Sequence, residues 1–119
     1  MDLAHLRTHC LAKPGTTEER PFGPDTLVYK VMNKMFALCS DDPQPGFVNL
    51  KCDPDDALFF REQFPGVTPG YHMDKRLWNS VSLAGDVPES LVCEMIDDSY
   101  DLVVASLPKK VRETLFGIK

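Results

Sequence analysis

The residues best suited to chemistry lie between Gly70 and Leu83, in the run Gly70-Tyr71-His72-Met73-Asp74-Lys75-Arg76-Leu77-Trp78-Asn79-Ser80-Val81-Ser82-Leu83. Two aromatics, a histidine and two adjacent cations follow a Pro-Gly break there, and such side chains can stack on and pair with an anionic ligand at little entropic cost. Further cations stand upstream at Lys30, Lys34 and Lys51. Lys34 at a hairpin tip and Lys75/Arg76 at the start of a later β segment are where two protruding ribbons would meet phosphate. Tyr71, His72 and Trp78 would shape or line the contact surface. Catalytic chemistry is not written in the chain. It holds no G-x-S-x-G elbow, glycine-rich phosphate loop or H-E-x-x-H pair, and a loop histidine such as His72 more often makes one structural hydrogen bond than it moves protons. The expectation is a non-enzymatic protein without a cofactor.

Three other constellations have plainer explanations. His5 and His9 stand at i, i+4 on one helix face, but two ligands are too few for a metal and Cys10 points into the apolar stripe, so a solvated face is expected. Glu94, Asp97, Asp98 and Asp101 share one side of a helix that lacks the curved backbone of a calcium loop, and read as its solvent-facing side. Cys10, Cys39, Cys52 and Cys93 form no C-x-x-C pair and read as small buried hydrophobes. No metal site is expected. A formal net charge of −5 opposes non-specific attraction to nucleic acid or anionic membrane. Any DNA binding must therefore come from a local basic patch.

The elements that would position these residues follow from periodicity. The 119 residues suit one domain, 1–119, and 43% hydrophobic with 26% charged content is that of a folded protein. No long apolar run occurs, and Met1-Asp2-Leu3-Ala4-His5 lacks the basic start of a secretory signal, so a cytoplasmic protein with no membrane partner is expected, as monomer or weak homodimer. Residues 2–12 read as a helix. Thr26–Met32, Met35–Ser40 and Phe47–Cys52 read as an antiparallel meander, with Asn33-Lys34 as the first turn. That register puts Leu27, Tyr29, Val31, Phe36 and Leu38 on the core face, extended by Val48 and Leu50, and Lys30, Ala37, Cys39, Asn49 and Lys51 on the other. Asp53-Pro54-Asp55-Asp56 starts a second helix that runs to about Phe64. Residues 67–70 read as a loop and Trp78–Leu83 as a strand. Pro88 opens the longest helix, whose apolar stripe is Leu91, Val92, Met95, Ile96, Leu102 and Val103, and Lys109 to about Phe116 forms a short last one. The order α-β-β-β-α-β-α-α predicts a two-layer α+β fold, an antiparallel sheet packed by helices.

An ordered series of short motifs covers almost the whole chain: Cys10-Leu11-Ala12-Lys13-Pro14-Gly15, Thr17-Glu18 with Pro21-Phe22-Gly23, Tyr29-Lys30-Val31 with Lys34-Met35-Phe36-Ala37, and Val48-Asn49-Leu50-Lys51-Cys52. Gly70-Tyr71-His72-Met73 with Lys75 and Trp78-Asn79-Ser80-Val81 follow, then Asp97-Asp98-Ser99-Tyr100-Asp101-Leu102-Val103-Val104 with Leu107-Pro108-Lys109-Lys110. In this series the chain resembles the MmcQ/YjbR family of small bacterial proteins. The resemblance implies helices on one side of an antiparallel sheet, a secretion-chaperone-like architecture, and a double-wing arrangement described as DNA-binding. It supplies no catalytic residues to transfer. By position, the wings would be the hairpin around Asn33-Lys34 and the segment from His72 to Trp78. The expectation is a DNA-binding-type protein in which Lys30, Lys34, Lys51, Lys75 and Arg76 neutralise phosphate. A chaperone-like protein-interaction module and a pocket for a small anionic ligand built from His72, Lys75 and Trp78 stand as alternatives.

Overall fold

Apolar residues at alternate positions through the middle of the chain build a sheet, and the computed structural model describes it for residues 1–40, 46–70 and 73–117. The elements are α1 (Leu3–Leu11), β1 (Thr16–Glu19), β2 (Thr26–Val31), β3 (Lys34–Ser40), β4 (Phe47–Lys51), α2 (Pro54–Gln63), β5 (Val67–Pro69), β6 (Trp78–Ser82), α3 (Glu89–Ala105) and α4 (Lys109–Phe116). The strands form one antiparallel sheet in the order β1-β2-β3-β4-β6-β5. The α+β class holds as expected. Two short edge strands join it: β1, in a stretch to which the sequence assigned no element, and β5, in the segment read as a loop.

The β2–β3 hairpin corrects the predicted register. Its turn is Met32-Asn33 rather than Asn33-Lys34, with φ of 48° and 67° at the two residues, and Val31 pairs with Lys34. Positive φ at both central residues matches the right-handed twist of the flanking strands. A shift between Tyr29↔Ala37 and Lys30↔Met35 then leaves Phe36 as an extra residue on β3. The two changes together move β3 by one position relative to the expectation. Ala37 and Cys39, not Leu38, share the core face with Leu27, Tyr29, Val48 and Leu50.

α3 lies across that face. Val92, Met95, Ile96, Ser99, Tyr100 and Val103 are its buried residues, so Ser99 and Tyr100 replace Leu102, which is 36% exposed, in the predicted stripe. Tyr100 meets Phe36 edge to face, with centroids 5.3 Å apart, and donates its hydroxyl proton to the Pro14 carbonyl at 2.6 Å. Such a ring pair adds about 0.5–1.5 kcal/mol beyond its buried area. Ser99 seals the bulge: its hydroxyl donates to the Phe36 carbonyl at 2.6 Å and accepts from the Lys51 N–H at 2.9 Å. One buried hydroxyl thus satisfies two backbone groups that the irregular ladder leaves over.

The other helices pack on the same side. Leu6 and Cys10 of α1 join the core, and Leu115 of α4 lies over Gly15 and packs against the same cluster. α2 begins at Asp53, whose Oδ1 accepts from the N–H of Asp55 at 3.0 Å, and reaches β6 through its Arg61. Arg7 of α1 grips Glu18 of β1 through Nε at 2.7 Å and Nη2 at 3.1 Å, while the buried Tyr29 hydroxyl donates to Glu18 at 2.9 Å. That knot holds the polar strand β1 in the sheet. Among the described residues, no helix is long and apolar enough to cross a membrane.

Candidate nucleic-acid interface

Antiparallel pairing decides where the cations stand. β2 ends, β3 begins, β4 ends, β6 begins and β5 ends at one edge of the sheet, the edge of the Met32-Asn33 turn. Lys34, Lys51 and the segment before Trp78 therefore meet at that edge, and Lys30 stands one residue inside it. Lys30 and Lys51 occupy the face opposite α3, because their neighbours Tyr29 and Leu50 face the core. With strands about 4.8 Å apart, two strand spacings place their Cα atoms about 10 Å from each other. Trp78 pairs directly with Lys51 and shares this face.

That face has its own mixed lining. Val28, Ser40 and Asn49 are buried on it, whereas Lys30, Leu38, Phe47, Lys51, Trp78, Ser80 and Ser82 keep part of their surface accessible. No described helix covers it. Lys30 approaches Glu19 at 3.5 Å, a loose ion pair that leaves the ammonium free to turn towards another anion. Lys34 is exposed at the hairpin.

The turn carrying Lys75 and Arg76 is tightly made. Asp74 accepts from the Arg76 N–H at 3.0 Å through its side chain, and from Leu77 and Trp78 N–H at 3.1 and 3.0 Å through its carbonyl. The hydrogen bonds from Arg76 hold the Asp74 carboxyl below its ordinary range. The Arg76 guanidinium lies 3.5 Å from that carboxylate and remains 82% exposed. Lys75 Nζ donates to the Gly70 carbonyl at 3.4 Å. Gly70 N–H donates to the Trp78 carbonyl at 2.8 Å, and a Cβ at Gly70 would come within 2.7 Å of Trp78 Cβ. Glycine is required by that approach rather than by its dihedral angles.

Two positioning residues were not singled out from the sequence. Arg61 of α2 donates to Asn79 Oδ1 at 2.7 Å, to the Trp78 carbonyl at 3.3 Å, and to the Lys75 carbonyl. Its charge is spent on the floor of the turn and not on the surface. Ser99 does the same for the Lys51 backbone. The only signal in the sequence was the place of Arg61 in the last turn of α2, where a cation also suits the helix dipole. Tyr71 and His72, expected on this surface, lie outside the described residues, and with them the proposed His72–Lys75–Trp78 pocket.

A group of four carboxylates collects on the helix side. Asp53, Asp56, Asp98 and Asp101 line a cavity of about 330 Å³ between α2 and α3, together with Cys52, Leu102 and Ala105. Burial and the neighbouring Asp101, Asp97, Glu94 and Asp56 push the Asp98 carboxyl above its ordinary range. Burial, helped by Asp56 and Asp53, also raises the Cys52 thiol to about 11, so it is no nucleophile at neutral pH. Asp97 departs from the expected solvent-facing row. It binds His9 Nε2 at 2.7 Å and Lys13 Nζ, and although burial opposes ionisation, those bonds lower its pKa overall. His5 stays exposed beside Asp2 and Glu89. Cys10 and Cys39 are buried as expected, whereas Cys52 and Cys93 are only partly so.

Comparison with known proteins agrees with this architecture. A crystal structure of a Deinococcus radiodurans protein with the DUF419 domain superposes with a TM-score of 0.90 at 36% identity, over 98% of this chain and 88% of that one. A Pseudomonas syringae structure gives 0.77 at 26% identity, over 86% of this chain and 98% of that one. The uncharacterized protein YbdF of Escherichia coli O157:H7 is 41% identical over 90 residues, 76% of this chain and 74% of its own. The uncharacterized protein YjbR of Escherichia coli K12 is 31% identical over 115 residues, 97% of this chain and 98% of its own. The YjbR family model matches residues 11–102. With the fold, the motif order and the relatives in agreement, the chain belongs to the YjbR family.

Proposed function

We propose that this protein binds DNA without catalysing a reaction on it, holding phosphate at the basic end of the sheet, where Lys30 and Lys51 stand on the face opposite α3 and Lys34, paired with the core residue Val31, stands on the other. The observation that carries the reading is the convergence of five cations on one end of the sheet, two of them only loosely paired, to Glu19 and Asp74, at 3.5 Å. Lys30, Lys34, Lys51, Lys75 and Arg76 come to one end of the sheet, while Asp53, Asp56, Asp98 and Asp101 line the cavity on the helix side. A molecule of net charge −5 repels phosphate at long range, so this local patch must supply the contact. Lysines and arginines that touch phosphate fix register and affinity without reading sequence.

The test is fluorescence anisotropy of labelled DNA at low and near-physiological salt. Replacing Lys34, Lys75 and Arg76 with Ala is expected to weaken binding about equally for unrelated sequences. It should also flatten the slope of log K against log salt by about 0.9 for each duplex phosphate that is no longer neutralised. An unchanged slope would remove the patch from the mechanism. A protein-interaction role has one observation in its favour: Leu58 and Phe59 stand 57% and 54% exposed side by side on α2.

A further inference from the structure

We infer that the surface takes single-stranded DNA in preference to duplex, with Trp78 as the residue on which a base stacks. The inference rests on the DNA-binding reading and narrows it to one form of the ligand. Trp78 is the one tryptophan of the chain, and it stands in register with Lys51 on the face that no described helix covers. A lysine and a partly accessible aromatic ring side by side on one sheet face offer a single strand what it needs, a cation for the backbone and a ring surface for a base.

The backbone that carries the ring is held in place before any ligand arrives. The Trp78 N–H donates to the Asp74 carbonyl at 3.0 Å, and its carbonyl accepts from Gly70 and from Arg61. Gly70 lies so close beneath its Cβ that a methyl group would not fit. A segment whose backbone is fixed in this way has no loop to order when a base stacks on its aromatic side chain. Duplex DNA gives it nothing to stack on, since paired bases present only their edges in the grooves, whereas an unpaired base presents its π-face. Charge fits the same occupant. The lysines and Arg76 at this end match a phosphate backbone; Glu19 and Asp74 pair loosely with Lys30 and Arg76 there, while Asp53, Asp56, Asp98 and Asp101 line the cavity on the helix side.

The single tryptophan makes its own emission the reporter. The full chain would be titrated at low salt with end-labelled oligo-dT of about fifteen nucleotides and with the same strand paired to oligo-dA, reading label anisotropy and Trp78 fluorescence together. The expected result is tighter binding of the single strand, with Trp78 emission quenched by it and little changed by the duplex. Trp78→Leu should lower single-strand affinity about 5- to 150-fold, the range alanine substitution gives for one base–aromatic stack, and Trp78→Phe should retain more of it. Quenching of the unaltered chain needs no variant to fold. Equal or tighter duplex binding with unquenched Trp78 would overturn this inference and leave the phosphate reading standing. No binding of either form would overturn both.

Discussion

Arg61 gives the sharpest test of how the candidate surface is built, because it touches the surface only from behind. Its guanidinium spans Asn79 Oδ1 at 2.7 Å, the Trp78 carbonyl at 3.3 Å and the Lys75 carbonyl. Asn79 is 3% exposed and uses its own N–H to reach the Ala57 carbonyl at 3.3 Å. In Arg61→Ala the Asn79 oxygen loses its donor at a site water hardly reaches, which costs about 1–3 kcal/mol. The two backbone carbonyls lie nearer the surface and recover most of their loss by hydration, so the total expected is about 2 kcal/mol. Urea unfolding followed by Trp78 emission measures this directly. Arg61→Lys should recover only part of the loss, since one ammonium cannot reproduce a planar fork aimed at three acceptors. In the double variant with Asn79→Leu, the loss should be smaller than the sum of the single losses, because no buried oxygen is then left without a donor. A change below about 0.5 kcal/mol in Arg61→Ala, with unaltered Trp78 emission, would refute the view that this side chain holds the turn.

Two further expectations concern charge and stability. Glu18 is held below its ordinary pKa by hydrogen bonds from Arg7, against burial and with help from the Tyr29 hydroxyl, so its contribution is full above the ordinary carboxylate range and lost as pH falls through the folded value. Glu18→Ala leaves the buried Tyr29 hydroxyl without an acceptor and should cost about 1–3 kcal/mol at pH 7, less in acid, in denaturant melts run across pH. Asp98 shows the opposite sign. Its folded pKa is raised by burial and neighbouring carboxylates, so its ionised form destabilises the fold, and Asp98→Asn should raise the melting temperature at pH 7 with a gain that vanishes below the ordinary carboxylate range.

The central strands and all four helices were legible because their signals are local: alternation in β2 and β4, the Asp53-Pro54 start of α2, and prolines 88 and 108 at the starts of α3 and α4. What escaped depends on distant partners. β1 reads Thr-Thr-Glu-Glu and has no apolar alternation, and its place comes from Arg7 and Tyr29 gripping Glu18. β5 is three residues long and ends in proline. The phase of β3 turned on Met32 taking a left-handed conformation that methionine rarely adopts, and on the extra residue Phe36. No propensity marks such a bulge. Its compensation is Ser99, sixty-three residues away in sequence. For the site, residue type alone identified the cations, but not that Arg61 serves the interior while Arg76 faces solvent, since the acceptors of Arg61 include backbone carbonyls that no side-chain pattern displays.

The acidic cavity on the helix side also bears on how a DNA-binding reading should be judged in solution. On that reading, phosphate on the helix-free face and the carboxylates of Asp53, Asp56, Asp98 and Asp101 lie on opposite sides of a sheet–helix sandwich, about 10 Å or more apart. That is about one screening length at 0.1 M salt. Raising salt from low values therefore does two opposed things. It relieves the long-range repulsion between phosphate and the acidic side, and it weakens the direct pairing with lysine and arginine, where counterions compete. The first effect saturates once the screening length falls below the thickness of the molecule, while the second continues. The slope of affinity against salt should then be shallow at low salt and steepen above it, and the number of neutralised phosphates inferred from the shallow region would be too small. Association rate should respond more than dissociation rate in that region, because the repulsion acts on approach and the paired charges act on residence.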